Sequence, residues 1–270
     1  MKTLAATLIT ALISVSAMAQ YKLEYKVSPP LHYNAHSSLE TTQTMMDRAS
    51  TYSMSMQQSI SMTSTKKDDD IVFSITIDSS EIAMIGPSGD TSKIPSPMVG
   101  KVKETRIHPD GEEISTRWLD TSFASTAAGQ MRDFGSLFFK LPSQKVDAGA
   151  TWHQDKVDTA GTPGGEGKII VNTGTDYKLI RMEKYNGASC ARIEFTSKID
   201  MGGSTTAQGM EFTISGTGTL SGFVLFDYDA GKLMKISGAS NQQLNMTSSG
   251  QQPMTIPMSQ KANYEFTLSK

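Results

Sequence analysis

The sequence predicts a mainly β protein made of long antiparallel hairpins. Apolar and polar residues alternate along most of the chain, and turn sequences rich in Gly, Asp, Asn and Pro separate the alternating runs. Only one segment spaces its apolar residues as a helix does. We therefore expect a strongly curved sheet or an open barrel, built from two similar halves of about 21–118 and 150–270 that a helical connector joins.

The first half contains two predicted hairpins. In TYSMSMQQSISMTS, the side chains of Met54, Met56 and Met62 share one face of a strand, and serines occupy the other face. The charged turn TKKDDD leads into IVFSITID, where Phe73 and Ile75 are again in phase. A second hairpin pairs GKVKETRI with EEISTRWL around HPDG, which is typical turn chemistry. The stretch IGPSGDTSKIPSPMVG between the hairpins is predicted to be a loop.

The second half repeats this plan. DYKLIRMEK and SCARIEFTSKIDM flank Asn186-Gly187, a strong hairpin signal, and Phe195 lies on the apolar face of the second strand. MEFTISGTGTLSGFVLFDYD and LMKISGASNQQLNM flank the turn DAGK, and Met246 belongs to the return strand. KANYEFTLSK is the last predicted strand.

The connector is the one segment predicted to be helical, over about 121–138. Its apolar residues recur at helical steps of three and four: Phe123, Ala127, Met131, Phe134 and Phe138. The apolar stripe must be buried against the sheet or cover the mouth of the sheet.

The first 19 residues are typical of a signal peptide. Lys2 precedes an apolar run, and Ala17-Met18-Ala19 fits the small-x-small rule, so we expect cleavage after Ala19. The run is shorter than the roughly 20 residues of a membrane span. We expect a single β-rich domain over 20–270, exported to the periplasm or the extracellular space without a transmembrane anchor.

The charge of the chain disfavours nucleic acid as a partner. The chain has 25 basic and 27 acidic residues, so loss of Lys2 leaves 24 against 27 and a net charge of −3. Basic residues form no block of the kind that binds phosphates. Cys190 is the single cysteine, so no internal disulfide is possible. The oligomeric state stays open.

Two motifs suggest a family. FKLPSQKVDAGATW resembles the pattern F-x-L-P-x-x-x-V-x-x-G-x-x-W of exported bacterial proteins of unknown function, and FDYDAGKL is similar to their C-terminal FD-x-x-x-G-x-L hairpin. The resemblance covers about 130–270 and implies turns and packing positions rather than an activity. The architecture also resembles the half-barrel lipoprotein carriers, which wrap a curved sheet around a cavity and plug it with helices.

No motif indicates an enzyme. The sequence has neither G-x-S-x-G nor H-E-x-x-H, and the spacing of the acidic residues selects no pair for glycoside hydrolysis. DYDAGK begins like a calcium loop, but Gly238 stands where the bidentate Glu is needed. His32 and His36 would lie about 13 Å apart along a strand, too far to share a metal.

Copper is also disfavoured. The chain has 17 methionines, and thioethers such as those of Met54 and Met56 suit Cu(I). Copper sites of this kind usually recruit His or Cys as well, and neither stands beside the methionine pairs. We expect no metal and no cofactor.

The remaining interpretation is a surface that adapts to apolar ligands, since methionine is flexible and polarizable. We expect an exported, non-enzymatic protein that binds an apolar ligand such as a lipid on the concave face of its sheet. The alternative is a closed core in a protein with a structural or protein-interaction role at the envelope, and a hydrolase ranks third. The predicted ligand-binding residues are Met54, Met56, Met62, Phe73, Ile75, Met131, Phe134, Phe195 and Met246.

Overall fold

A computed structural model describes residues 20–46, 48–124, 137–161, 166–207, 210–249 and 253–269. These residues form one antiparallel sheet of twelve strands, which confirms the predicted β class. The strands are β1 (Leu31–Met45), β2 (Arg48–Lys67), β3 (Asp70–Ile85), β4 (Thr91–Pro95), β5 (Val102–Ile107), β6 (Glu113–Trp118), β7 (Thr151–Gly161), β8 (Glu166–Tyr185), β9 (Ala188–Ala207), β10 (Met210–Asp227), β11 (Lys232–Ser248) and β12 (Thr255–Leu268).

The order of the strands is β6-β5-β3-β2-β1-β12-β11-β10-β9-β8-β7, and β4 also pairs with β3. Strands before the connector therefore form one side of the sheet and strands after it form the other. The two sides meet where β1 pairs with β12, with Tyr33 opposite Leu268. The sheet is not closed, and β6 and β7 are its two edges.

Backbone conformation confirms the four turn sequences that the pattern predicted. Asp68 has a φ of 57° between β2 and β3, Gly111 has a φ of 84° between β5 and β6, Asn186 and Gly187 have φ of 49° and 84° between β8 and β9, and Gly231 has a φ of 66° between β10 and β11. Positive φ at these positions suits Asp, Asn and Gly, so the turns are encoded locally.

One prediction about loops was wrong, and one strand was missed. Part of the predicted loop between the first two hairpins is strand β4, which pairs with the second half of β3. The sequence also predicted no strand around His32 and His36, which lie on β1, a central strand between β2 and β12. The sequence around both histidines is polar and its alternating positions are only partly buried, so it lacks the apolar alternation that predicts a strand.

Segments 20–30 and 137–150 cross one open end of the sheet and fill it; we call them the plug. Their apolar side chains are buried: Leu23, Tyr25, Phe138, Phe139 and Leu141. Backbone hydrogen bonds tie the plug to the sheet, from Tyr25 N to Pro109 O at 2.7 Å and from Leu141 N to Asp110 O at 2.7 Å. The plug passes so close to the β5–β6 turn that a Cβ on Gly111 would lie 2.1 Å from the Phe139 carbonyl oxygen.

Aromatic rings pack the plug against both sides of the sheet. The Tyr25 ring meets Phe138 and Phe139 of the plug and Phe226 of β10 edge-on, with centroids 5.6, 5.9 and 5.1 Å apart. Phe138 also contacts Phe73 of β3, with centroids 4.6 Å apart. The space left beside these rings is about 10 Å³, roughly one water molecule. This plug end is therefore a filled core, and the sheet curves around it.

Four strand pairs end at the opposite end of the sheet, which we call the rim end: β1 with β2, β7 with β8, β9 with β10, and β11 with β12. Of the helix predicted over about 121–138, the structure describes one turn at Thr121–Ala124, capped by Asp120 Oδ1, which accepts hydrogen bonds from Ser122 N and Phe123 N at 3.0 Å. Residues 125–136 lie outside the described residues, and Leu137 and Phe138 are not helical, so the predicted C-terminal end of the helix was wrong. No helix in the described part of the chain is long and apolar enough to span a membrane.

Candidate functional site

The interior face of the long strands is layered. On β2, Met62 and Ile60 are buried near the plug, Gln58 follows towards the rim, and Met56 and Met54 come next. These five side chains share one face because the strand has a period of two. The strand thus passes from an apolar layer through a polar position to a second apolar layer.

The same order recurs on neighbouring strands. On β9, Ile193 and Phe195 are buried, Ser197 follows, and then come Ile199 and Met201. We call the polar positions the polar belt, which comprises Ser37, Gln58, Ser80, Thr173, Thr175, Ser197, Ser240, Gln242 and Gln260. We call the apolar, partly exposed positions beyond it the rim layer, which comprises Leu39, Met54, Met56, Ile82, Met84, Val171, Ile199, Met201, Ile214, Met246 and Met258.

The two apolar layers differ in exposure. Met62 is 6% exposed in the core, whereas Met54 and Met56 on the same strand are partly exposed. Leu244 and Ile256 sit beside the rim layer and are buried, because cross-strand neighbours cover them. The rim layer as a whole is apolar surface that the plug does not reach.

The predicted ligand-binding residues divide between these layers. Met62, Phe73, Ile75 and Phe195 are buried in the core next to the plug. The rim layer contains the other three that the structure describes, Met54, Met56 and Met246. Met131 and Phe134 lie outside the described residues. Alternation alone could not separate the groups, because the period of two gives the face of a side chain and not its depth.

The polar belt was missed by sequence reasoning, although its signal was present as polar residues in the apolar phase. Part of it is internally paired: the hydroxyls of Thr175 and Ser197 lie 2.8 Å apart, and both side chains are buried. Gln58 donates from Nε2 to Ser80 Oγ at 3.4 Å, and both residues are partly exposed. The belt therefore offers accessible amide and hydroxyl groups at the side of the rim layer.

Charged side chains stand on the interior face where the two edges of the sheet approach each other. Lys156 of β7 lies 3.2 Å from Glu113 of β6 and 3.7 Å from Asp158 of β7. Burial opposes ionisation of Glu113, but the Thr116 hydrogen bond and the Lys156 and Lys103 charges outweigh it and lower the pKa of Glu113. This cluster contains two cations and two anions, so its charges balance.

The outer face of the sheet is polar towards the rim end and apolar near the β10–β11 turn. On β10 the outward side chains are Thr213, Ser215, Thr217, Thr219 and Ser221, followed by Phe223 and Leu225, which pack with Cys190 and Met234 in a separate apolar cluster. A shallow groove of about 860 Å³ crosses the outer face of β7–β11. Its side chains include Asp155, Asn172, Lys198, Asp200, Asn241 and Gln243. This groove is larger than the space in the core, and its lining also includes Val157 and several Thr and Gly residues.

Two histidine clusters lie on the outer face. Ser61 Oγ donates to Asp78 Oδ2 at 2.6 Å and lies 3.0 Å from His32 Nδ1. In a catalytic triad the carboxylate orients the histidine, whereas Asp78 here holds the serine. No group of three metal-ligating side chains occurs among the described residues.

The second cluster, on β7 and β8, centres on His153. Its Nδ1 lies 2.7 Å from Asp176 Oδ1 and its Nε2 lies 3.0 Å from Asp155 Oδ1. The hydrogen bond with Asp176, followed by that with Asp155, raises the pKa of His153. All three side chains are at least half exposed, so the cluster is a surface ion pair rather than an enclosed acid–base site.

No family model matches the sequence, and no curated protein matches it. A similar solved structure is that of Neisserial surface protein A (NspA), which is 6% identical and covers 89% of this chain and 99% of the NspA chain, with a TM-score of 0.24. A similarity of this degree supports neither a shared fold nor a shared function.

Proposed function

We propose that this chain is an exported, non-enzymatic protein that binds an apolar ligand, such as a lipid, against its rim layer. One observation carries the proposal: the interior of the sheet presents partly exposed Met, Leu, Ile and Val side chains beyond the filled core. Burying apolar surface yields about 25 cal/mol per Å², so a ligand that covers several of these side chains gains binding energy without special polar contacts.

The composition of the rim layer favours ligands of variable shape. Met54, Met56, Met84, Met201, Met246 and Met258 belong to it. Methionine side chains are unbranched and rearrange easily, which suits surfaces that accept different apolar partners. The rim layer therefore fits lipids of varied chains better than one rigid molecule.

The outer face supports binding in the interior rather than on the outside. Strands that face lipid carry apolar side chains outward. Here the outward side chains of β10 from Thr213 to Ser221 are Thr and Ser, and those of β2 include Ser55, Gln57 and Thr63. Val157 and Ile170 are exposed on the outer face, but the rim layer is directed inward, where a single ligand molecule could be enclosed by the sheet.

A non-enzymatic role is supported by the arrangement of the polar clusters. The two histidine clusters lie on the outer face, away from the rim layer. The charged cluster of Lys156, Glu113 and Asp158 is paired internally and holds no nucleophile with an adjacent base. Export is proposed on the signal-like sequence of the first 19 residues.

The proposal is tested with the 20–270 chain purified from the periplasm. Native mass spectrometry should detect co-purified lipid, and cis-parinaric acid, a fluorescent fatty acid, should bind. The variant Met54→Glu/Met56→Glu should weaken probe binding at least tenfold, because it places charges on the apolar surface. The matched control Ser53→Glu/Ser55→Glu alters the neighbouring side chains of the other face and should bind as wild type does.

Circular dichroism establishes that both variants keep the β spectrum. The proposal fails if the wild-type protein retains no lipid and binds no probe. It also fails if the Met and Ser variants weaken binding equally, since the probe would then not occupy the interior face.

A further inference from the structure

We infer that the polar belt receives the head group of the ligand, and that the ligand is a single-chain amphiphile with an uncharged, hydrogen-bonding head. The head would point towards the plug and the chain would run along the rim layer towards the rim end. This inference rests on the proposed function and adds the class of ligand and its direction.

The first argument is the order of the layers. On β12 the interior side chains pass from Phe266 in the core, through Tyr264, Ala262 and Gln260, to Met258. A wholly apolar ligand that reached this depth would remove water from Gln260 and Gln58 without replacing their hydrogen bonds, which is unfavourable. The deep end of a ligand that fits must therefore be polar.

The second argument is that part of the belt is available. Thr175 and Ser197 bond each other and are buried, so they cannot serve a ligand. Gln58, Gln242 and Gln260 are partly exposed, and each amide has both donor and acceptor atoms. These three stand on β2, β11 and β12, so a head group could be held from the centre of the sheet.

The third argument is the balance of charge. The interior cations Lys156 and Lys103 face the interior anions Glu113 and Asp158. A carboxylate or phosphate head held at the belt would find Lys156 and Lys103 already facing these anions, and a buried charge without a partner is strongly unfavourable. A glycerol or alcohol head adds hydroxyls and no charge. The belt thus favours a neutral monoacylglycerol over the ionised fatty acid of the same chain length.

The experiment compares monolaurin with laurate at pH 8 in displacing a bound uncharged fluorescent probe, N-phenyl-1-naphthylamine, from the wild-type 20–270 chain. Monolaurin should displace the probe at concentrations at least tenfold lower than laurate. The variant Gln58→Leu/Gln242→Leu removes two amides from the belt, so monolaurin should bind about tenfold more weakly while laurate changes little. The matched control Gln57→Leu/Gln243→Leu changes the adjacent amides on the outer face and should behave as wild type.

The outcomes separate this inference from the proposed function. If both ligands displace the probe equally, or laurate displaces it better, the inference is overturned while apolar binding stands. Equal effects of the belt variant and its control would overturn it as well. If the probe itself does not bind, the proposed function fails and this inference fails with it. Should the double Leu variant not fold, Gln58→Met, compared with Gln57→Met, replaces it with the same expected direction.

Discussion

The interior side chains of the same strands are buried at the plug end and partly exposed at the rim end. Met62 and Met56 stand on one strand, on one face and six positions apart, yet Met62 is buried and Met56 is partly exposed. The difference comes from the plug, which brings Tyr25, Phe138 and other side chains from outside the sheet. A curved sheet of this width does not fill its own interior, so side chains from outside the sheet determine which part of the interior becomes core.

The largest expected effect tests this contrast directly. Met62→Ala should lower the free energy of unfolding by about 2–5 kcal/mol, because it leaves a cavity in a packed core. Met56→Ala should lower it by less than about 1 kcal/mol, because its side chain is already partly in water. Urea unfolding followed by circular dichroism measures both. Equal losses would mean that the rim layer is packed like the core.

A second prediction concerns acid stability of the plug end. Asp70 is buried there, with Oδ2 at 2.7 Å from Arg106 Nε and Oδ1 at 2.5 Å from His108 Nδ1. Burial alone would raise the pKa of Asp70, but the hydrogen bonds from Arg106 and His108 outweigh it and lower that pKa. A lowered folded pKa stabilises the protein above the unfolded value, about pH 4, and this contribution disappears as the pH falls further.

Unfolding midpoints between pH 7 and pH 3 check this prediction. Asp70→Asn should reduce stability at pH 7 and flatten the decline between pH 5 and pH 3, as the wild type loses the same contribution there. Asp229→Asn, on the exposed β10–β11 turn, serves as the control and should follow the wild-type curve. A parallel decline in Asp70→Asn and wild type would contradict the role given to Asp70.

The smallest effect is on reactivity rather than on stability. Cys190 is buried, and burial, followed by the charges of Asp227 and Glu183, raises its pKa to about 11. In native protein at pH 8 it should hardly react with a disulfide reagent, because little thiolate is present. Met54→Cys in a Cys190→Ala background should react many times faster, since its thiol would stand in the rim layer. Similar rates at both positions would remove the distinction between the two ends.

Much of the fold followed from local signals. The alternation predicted the hairpins of β2–β3, β5–β6, β8–β9 and β10–β11, and the residues at the turns have the positive φ that their chemistry suits. The plug did not follow from them. Its residues carry no strand period, and Tyr25 and Phe139 meet across more than one hundred positions of sequence. The periodicity of a sequence shows which side chains share a face of one strand, but it does not predict contacts between residues that are distant in the sequence.

The candidate site was predicted only in part, because alternation gives the face of a side chain and not its contacts with distant strands. Alternation placed Met54 and Met246 on an apolar face, and both stand in the rim layer. The polar belt could have been noticed, since Gln58 interrupts the apolar phase of β2, but its meaning depends on seeing Ser197 and Gln260 interrupt theirs at the matching depth. The contact between Lys156 and Glu113 joins opposite edges of the sheet, and nothing local indicates it.

The pairing of β1 with β12 has a consequence for how the chain acquires its shape. Tyr33 opposite Leu268 joins the first strand to the last, so the middle of the sheet is made from the two most distant parts of the sequence. Closing so long a loop costs conformational entropy before any contact forms to offset that cost. Folds dominated by such contacts therefore fold slowly. Until the last strand arrives, the flanks are two separate half-sheets with bare edges. A polypeptide of this design would therefore complete its sheet only after its last strand has been synthesised.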